Sequence, residues 1–254
     1  LAGTTGFPNV EKIALPKGTQ TIPESCFANW GLCEIVIPES VTVIENRAFV
    51  NCKNLKSIVF QGRPEQIAED AFEGCTNVET IEWGDCRHFC IAGKTGFPNI
   101  KQFSIPEDVT EIPDNCFKNW GIQDIVIPQS VASIGKNAFG GCPISTINGE
   151  SGILRLTERC RIEPNAFAKC SFQTIVLDVS KPDKFIKIAE NVGATEIVVR
   201  DTIEIESFKR ILSIPGLTSV SCIETDEPVL VSADELGEMP VTLRFLELPR
   251  SVGK

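Results

Sequence analysis

Along residues 32–54, LCEIVIPESVTVIENRAFVNCKN, apolar residues recur in a set order. Leu-x-x-Ile-x-Ile-Pro comes first, Val-x-x-Ile second and Ala-Phe-x-x-Cys third. The first third alternates like a half-buried strand, with Leu32, Ile35 and Ile37 facing a core and Glu34 and Val36 facing out. Pro38 has no N–H to give a ladder and ends the strand. Val41 and Ile44 make a second, shorter inward pair. Asn46-Arg47-Ala48-Phe49 predicts a tight helical or 3₁₀ turn that drops Phe49 into the core, and Cys52 fills a small apolar space there. Leu55 restarts the order and carries it to Asn77. A period of 22 to 23 residues falls in the range of solenoid repeats, whose units bury their apolar residues only against their neighbours. Stacked turns place successive strands about 4.8 Å apart in a parallel sheet.

A larger duplication overlies this period. Residues 1–52 align with 91–142 at a constant offset of 90, with 25 identities in 52 positions. The shared stretches include GFPN (6–9 and 96–99), NWG (29–31 and 119–121) and IVIP (35–38 and 125–128). Strand starts fall at Val10, Leu32, Leu55, Val78, Ile100, Ile122, Ile144, Phe172, Thr195, Leu217 and Val241. The Phe column follows as Phe27, Phe49, Phe72, Phe117, Phe139, Phe167 and Phe208, with Leu236 in that place after Val231. The expectation is one domain over 1–254: a curved, right-handed solenoid of about eleven coils. It is mainly β with short 3₁₀ or helical turns. Residues 1–90 and 91–180 form its duplicated halves, and 181–254 its divergent C-terminal repeats.

Three stretches break the rule. The turn at 78–99 replaces Ala-Phe-x-x-Cys with CRHFCIAGKTGFPN. The turn from Ile144 gains about five residues around NGESG (148–152), which read as a bulging loop. KPDKFIKIAENVG (181–193) reads as a helix. LPRSV (248–252) matches IPESV (37–41), so the chain stops as another turn begins.

The combination of Ile-Pro, Ala-Phe and Cys at these spacings, almost complete at 32–52 and 122–142 and lacking only the Pro at 55–75, resembles the BspA-like leucine-rich repeat family, the Treponema pallidum type. The resemblance covers residues 1–180 well and the rest loosely. It implies a leucine-rich-repeat solenoid acting as a binding scaffold, surface-exposed or secreted, with roles in adhesion to host proteins. It carries over no catalytic residue, because the family motif is structural throughout.

Composition changes this picture little. Apolar residues make up 42% and charged residues 23%, an ordinary soluble balance. No apolar run approaches the roughly 20 residues of a membrane span. Leu1 is neither an initiator Met nor the start of a signal peptide, so the chain reads as a mature form or a fragment. The net charge of −10 disfavours nucleic acid and anionic membranes and suits a partner with a basic patch. The eleven cysteines read mainly as buried thiols, with Cys52, Cys75, Cys142 and Cys170 in the motif column and Cys26 and Cys116 in the Ala place. Cys86, His88 and Cys90 are the one cluster of metal-ligand types. No second Cys or His pair completes a tetrahedral site, so an irregular loop or a Cys86–Cys90 disulfide are the other readings. With a single histidine, Ser-His-Asp and Cys-His chemistry has no footing. GKTG (93–96) and GESG (149–152) lack P-loop spacing. Glu34, Glu39, Glu45, Glu69 and Asp70 read as a solvated surface. No cofactor and no enzyme activity are expected.

The outward strand positions remain. One column runs Ala14, Val36, Val59, Glu82, Ser104, Val126, Asn148, Val176 and Val199. The next runs Lys12, Glu34, Ser57, Thr80, Gln102, Asp124, Thr146 and Thr174. Valine outside a sheet reflects either β-propensity on a pleated surface or a face for a partner. The candidate protein-binding residues are therefore Glu34, Val36, Ser57, Val59, Thr80, Glu82, Gln102, Ser104, Asp124, Val126, Thr174 and Val176. The face has almost no exposed ring for sugar stacking; Trp30 and Trp120 read as packing residues. The leading expectation is a host or cell-surface protein ligand. The other reading is a structural subunit that self-associates through its repeats.

Overall fold

A computed structural model of the chain describes residues 6–84, 89–178, 183–200, 205–222 and 245–247. Cys86, His88, Val231, Leu236, Val241 and LPRSV (248–252) lie outside the described residues. The chain divides into two compact units. One holds the described residues through Ser104, with Asn115–Gln123 and Ala138–Cys142. The other holds Ile105–Asp114, Asp124–Asn137 and the described residues from Pro143 onward.

In the first unit the alternation becomes strands β2 (Glu34–Ile37), β4 (Ser57–Phe60) and β6 (Thr80–Glu82), paired in parallel in that order. The Val-x-x-Ile segments become a second ladder, β1 (Thr21–Ile22), β3 (Val43–Ile44) and β5 (Gln66–Ile67), also parallel. Strand β7 is Gln102–Ser104. Leu32, Ile35, Ile37, Ile44, Leu55 and Ile58 are fully buried, which is the inward set of the alternation.

The Ala-Phe-x-x-Cys segments are laddered as fully as the strands. The Phe27 N–H donates to the Ala48 carbonyl at 2.8 Å, Phe49 to Ala71 at 2.8 Å and Phe117 to Ala138 at 2.8 Å. Over this ladder the rings stack face to face, Phe49 on Phe72 at 4.7 Å and Phe117 on Phe139 at 5.3 Å. Each such pair adds about 0.5–1.5 kcal/mol beyond its burial. The residues two before and two after Phe27, Phe49 and Phe117 are left-handed: Ser25 and Asn29, Arg47 and Asn51, Asn115 and Asn119. Gly74 and Gly141 fill the second of these places at φ 79° and 81°, and Lys169 fills it at φ 68°. The motif's final x is therefore a site for Asn or Gly, where other residues are strained.

The duplication is visible in the packing. Phe7–Trp30 and Phe97–Trp120 both sit edge-on at 4.8 Å, and Phe27–Trp30 and Phe117–Trp120 both at 5.1 Å. Gly31 and Gly121 of the NWG turns receive the chain of the preceding GFPN turn so closely that a Cβ would collide with the Pro8 or Pro98 carbonyl. Both tryptophans pack as expected, although only Trp120 is buried.

The second unit begins with β8 (Glu111–Ile112), β9 (Asp124–Val126), β10 (Ser133–Ile134), β11 (Thr146–Ile147) and β12 (Glu150–Ser151). It continues with β13 (Ile153–Thr157), β14 (Arg161–Ile162), β15 (Thr174–Asp178), β16 (Glu196–Val199), β17 (Ser219–Cys222) and β18 (Phe245–Glu247). Strands β8, β10 and β14 form the short ladder. Strand β11 pairs in parallel with β9 and antiparallel with β12, while β13, β15, β16, β17 and β18 form a separate parallel sheet. NGESG is thus a hairpin that moves the chain from one sheet to another, not a bulging loop. Helix α1 (Asp183–Val192) takes the place of a tight turn, as expected, and buries Phe185, Ile186, Ile188 and Ala189 on one face. Helix α2 (Ile205–Leu212) does the same with Phe208, Ile211 and Leu212.

The fold is a parallel β-solenoid, mainly strands with few helices, of about eight turns rather than eleven. The Val10 segment forms no strand, and the turn from Ile144 is divided by its hairpin; Val241 itself is outside the described residues, but β18 follows it and pairs with β17. Thr195 also misplaces its register by one: Glu196 pairs with Thr174 and Val199 with Leu177, so Val199 belongs to the buried column and Val198 to the outward one.

Lys169→Gly is expected to raise stability by about 0.5–1 kcal/mol, because Lys169 alone holds the left-handed place before a motif Cys with a long side chain. Asn51→Ala is expected to lower it by a similar amount. Urea unfolding followed by circular dichroism measures both.

Candidate functional site: the outward strand columns

Pairing register brings the candidate residues of the first unit into two rows. Glu34 stands opposite Ser57, and Ser57 opposite Thr80; Val36 stands opposite Val59, and Val59 opposite Glu82. Val36 and Val59 are half-buried, Thr80 and Glu82 exposed. Glu34 meets Lys12 of the preceding turn at 3.6 Å, an exposed pair that contributes little. Gln102 and Ser104 are exposed on either side of the buried Phe103. Trp83 lies beside the row but packs inward, stacked on Phe60 at 5.7 Å and edge-on to Phe89 and Phe103.

In the second unit Asp124 is half-buried opposite Thr146, and Val126 is 43% exposed, an uncommon position for a large apolar side chain. The Thr174 hydroxyl is 2.7 Å from Glu196 Oε2 and donates to it. Val176 corrects the expectation: it stands between Arg155 and Val198 on the outward side but is only 4% exposed. Val176 therefore has almost no surface for a partner.

The acidic surface residues divide. Glu45 Oε2 accepts the Glu24 N–H at 2.8 Å, Asp70 Oδ1 the Arg47 N–H at 3.2 Å and Asp114 Oδ1 the Lys136 N–H at 2.7 Å. These carboxylates satisfy turn N–H groups that the ladder leaves over. Glu45 and Asp70 are thus structural, not merely solvated.

The motif cysteines also carry hydrogen bonds. Cys52, Cys75 and Cys142 donate their thiols to the carbonyls of Phe27, Phe49 and Phe117, at 3.1, 3.1 and 2.8 Å. Burial pushes the Cys142 thiol up to about 12 and raises Cys75 as well. Cys26 is half-buried rather than buried. Cys116 is not free: it forms a disulfide with Cys90, 26 residues away. The expectation of reduced thiols fails there because the irregular turn sets Cys90 against the Ala place of the following turn, with 4.3 Å between the Cα atoms. Cys90 is therefore not paired with Cys86. Among the described residues no group of three or more His, Cys, Asp or Glu side chains could hold a metal ion. Nor, among them, is any helix long and apolar enough to cross a membrane.

Period, parallel ladders and thiol column together define a leucine-rich-repeat solenoid. The family model for the BspA type leucine rich repeat region matches six copies over residues 5–87 and 95–161, and the chain belongs to that family. No curated protein matches. Among solved structures, a leucine-rich repeat protein from Bacteroides ovatus is 18% identical over 87% of this chain and 51% of its own, with a TM-score of 0.44. A leucine rich cell surface protein from Faecalibacterium prausnitzii is 19% identical over 87% and 60%, with a TM-score of 0.41. The leucine rich repeat protein of T. pallidum is 17% identical over 77% and 71%, with a TM-score of 0.30. The chain spans about half the length of the first of these and 60% of the second.

At pH 8 a thiol titrating at about 12 is thiolate in roughly one molecule in ten thousand. Cys142 is therefore expected to stay unmodified by iodoacetamide in the native protein and to react fully in guanidinium. Peptide mass spectrometry reads this. Cys116→Ala is expected to lower stability by about 3 kcal/mol through the lost cross-link, checked by urea unfolding.

Proposed function

We propose that the chain is a protein-binding scaffold without catalytic role, and that its partner docks on the outward strand columns. The observation that carries this reading is Val126, a valine 43% exposed at the end of β9. No fold requirement keeps an apolar side chain there, since the same column accepts Glu82 and Ser104. The family is one typical of protein-interaction scaffolds, which supports the general class. The face is Glu34, Val36, Ser57, Val59, Thr80, Glu82, Gln102 and Ser104 in the first unit, and Asp124, Val126 and Thr174 in the second. Small apolar and hydroxyl groups flanked by Glu34, Glu82 and Asp124 suit a protein whose own patch is basic. The net charge of −10 favours the same kind of partner through long-range steering.

A cell-surface or extracellular location belongs to this reading, as does attachment to other cells. The Cys90–Cys116 disulfide supports it, because disulfides persist in oxidising compartments. The thiols of Cys52, Cys75, Cys142 and Cys170 are buried and so shielded from the same oxidants.

Replacing Val59 and Val126 together by Lys tests the reading. Both side chains reach solvent, so the melting temperature is expected to stay within a few degrees. Capture of surface-biotinylated host-cell proteins by the immobilised chain is expected to fall at least about tenfold, as for central apolar contacts of an interface. Undiminished capture by a folded double variant removes the strand face from consideration.

A further inference from the structure

The hairpin in the second unit has a consequence for the core beside it. After Ile147 the chain reverses at Asn148, which is left-handed at φ 51°. The Asn148 side chain then stands in for a missing strand: the Ile127 N–H donates to Oδ1 at 2.8 Å, and Nδ2 donates to the Ile127 carbonyl at 3.1 Å. Beyond this clamp, beside Ile127 and Pro128, a half-open cavity of about 430 Å³ runs down to the core. Such a volume lies in the range of small-ligand pockets, roughly 300–1,000 Å³.

The floor is apolar, made by Ile134, Ile147, Leu154 and Phe167. The rim carries three charges: Glu150, Arg155 and Arg159. Arg155 Nε lies 2.6 Å from Glu150 Oε2, so these two neutralise each other. Arg159 is exposed and has no ion-pair partner among the described residues. Two cations against one carboxylate leave the lining at +1 in a chain of net charge −10.

We infer that this cavity binds a small amphipathic carboxylate, its apolar body on the Ile147–Leu154–Phe167 floor and its carboxylate on the Arg159 guanidinium. A guanidinium presents paired N–H donors that match a carboxylate in two-point contact. A phosphate dianion would need more positive charge than the rim offers. A sugar would leave the floor unfilled and find few polar groups. The same chemistry is presented by the last residue of a peptide with an apolar side chain and by a free aliphatic acid. The cavity adjoins the outward columns at Ile127 and Asn148 but is lined by none of Asp124, Val126 and Thr174, and neither reading needs the other.

Calorimetric titration of the full chain with N-acetyl-leucine, N-acetyl-leucinamide and hexanoate tests the inference. N-acetyl-leucine is expected to bind, and the amide at least about tenfold more weakly, since only the acid gains the charge-assisted bond. Hexanoate binding as well as N-acetyl-leucine marks a free acid as the ligand source; hexanoate failing while N-acetyl-leucine binds marks a peptide C-terminus. Arg159→Ala, at an exposed position, is expected to weaken the acid about tenfold and leave the amide unchanged. Ile147→Trp is expected to fill the cavity and abolish binding of both. Absence of binding by all three compounds at millimolar concentration overturns the inference. So does equal binding of acid and amide, or insensitivity to Arg159→Ala. Lys17→Ala, exposed in the first unit and outside both sites, is expected to leave every titration unchanged; the strand face is read by capture and this cavity by calorimetry, so the two readings fail separately.

Discussion

Each turn of this protein has a backbone that cannot satisfy itself. A helix closes its hydrogen bonds within a segment, whereas here the strand ladders pair each turn with the turn before or after. The dependence extends past the strands into the Ala-Phe turns, where the Phe27 and Phe49 N–H groups reach the Ala48 and Ala71 carbonyls. It extends to side chains as well: Ser40 and Ser130 donate to the Thr19 and Val109 carbonyls of the preceding turn, at 2.9 and 2.8 Å. Stability is therefore cooperative between neighbours, as expected for a solenoid.

That constraint explains why cysteine suits the final motif place better than alanine. The Phe117 carbonyl already accepts the Trp120 N–H at 3.1 Å, and its second lone pair points to the Cys142 thiol. A small apolar side chain with a weak donor fits both the space and the lone pair. Serine would supply a stronger donor at greater desolvation cost. The periodicity of Cys52, Cys75 and Cys142 showed burial, but it could not show a donor, because the acceptor lies 25 or 26 residues earlier.

Much of the architecture was legible from residues that repeat, and the departures were legible only as departures. Leu32, Ile35, Ile37 and Phe49 could be placed inward from alternation alone. The left-handed positions were visible too, in the Asn or Gly at 29, 51, 74, 119 and 141, but a motif written with a free x hides them. NGESG announced an insertion without revealing a hairpin, since a strand of two residues has too little alternation to read. Cys90 and Cys116 could not be paired from spacing, because the turn that carries Cys90 follows no repeat. Val176 looked like its column-mates, yet its cover comes from neighbours the pattern does not specify. The outward columns follow by exclusion, whereas the cavity beside Ile127 is not legible in the pattern: NGESG marks an irregular turn, but only the folded hairpin sets Asn148 and Glu150 against Ile134 and Phe167.

The Cys90–Cys116 bond also has a mechanical meaning. Pulled from its two ends, a stack of turns held by lateral hydrogen bonds peels one turn at a time, releasing slack with each. A covalent link between residues 90 and 116 withholds the 25 residues between them from the load, a hidden length of roughly 85 Å. A tethered chain under shear would be shorter by that amount while the bond stays oxidised, and would yield that length once it is reduced.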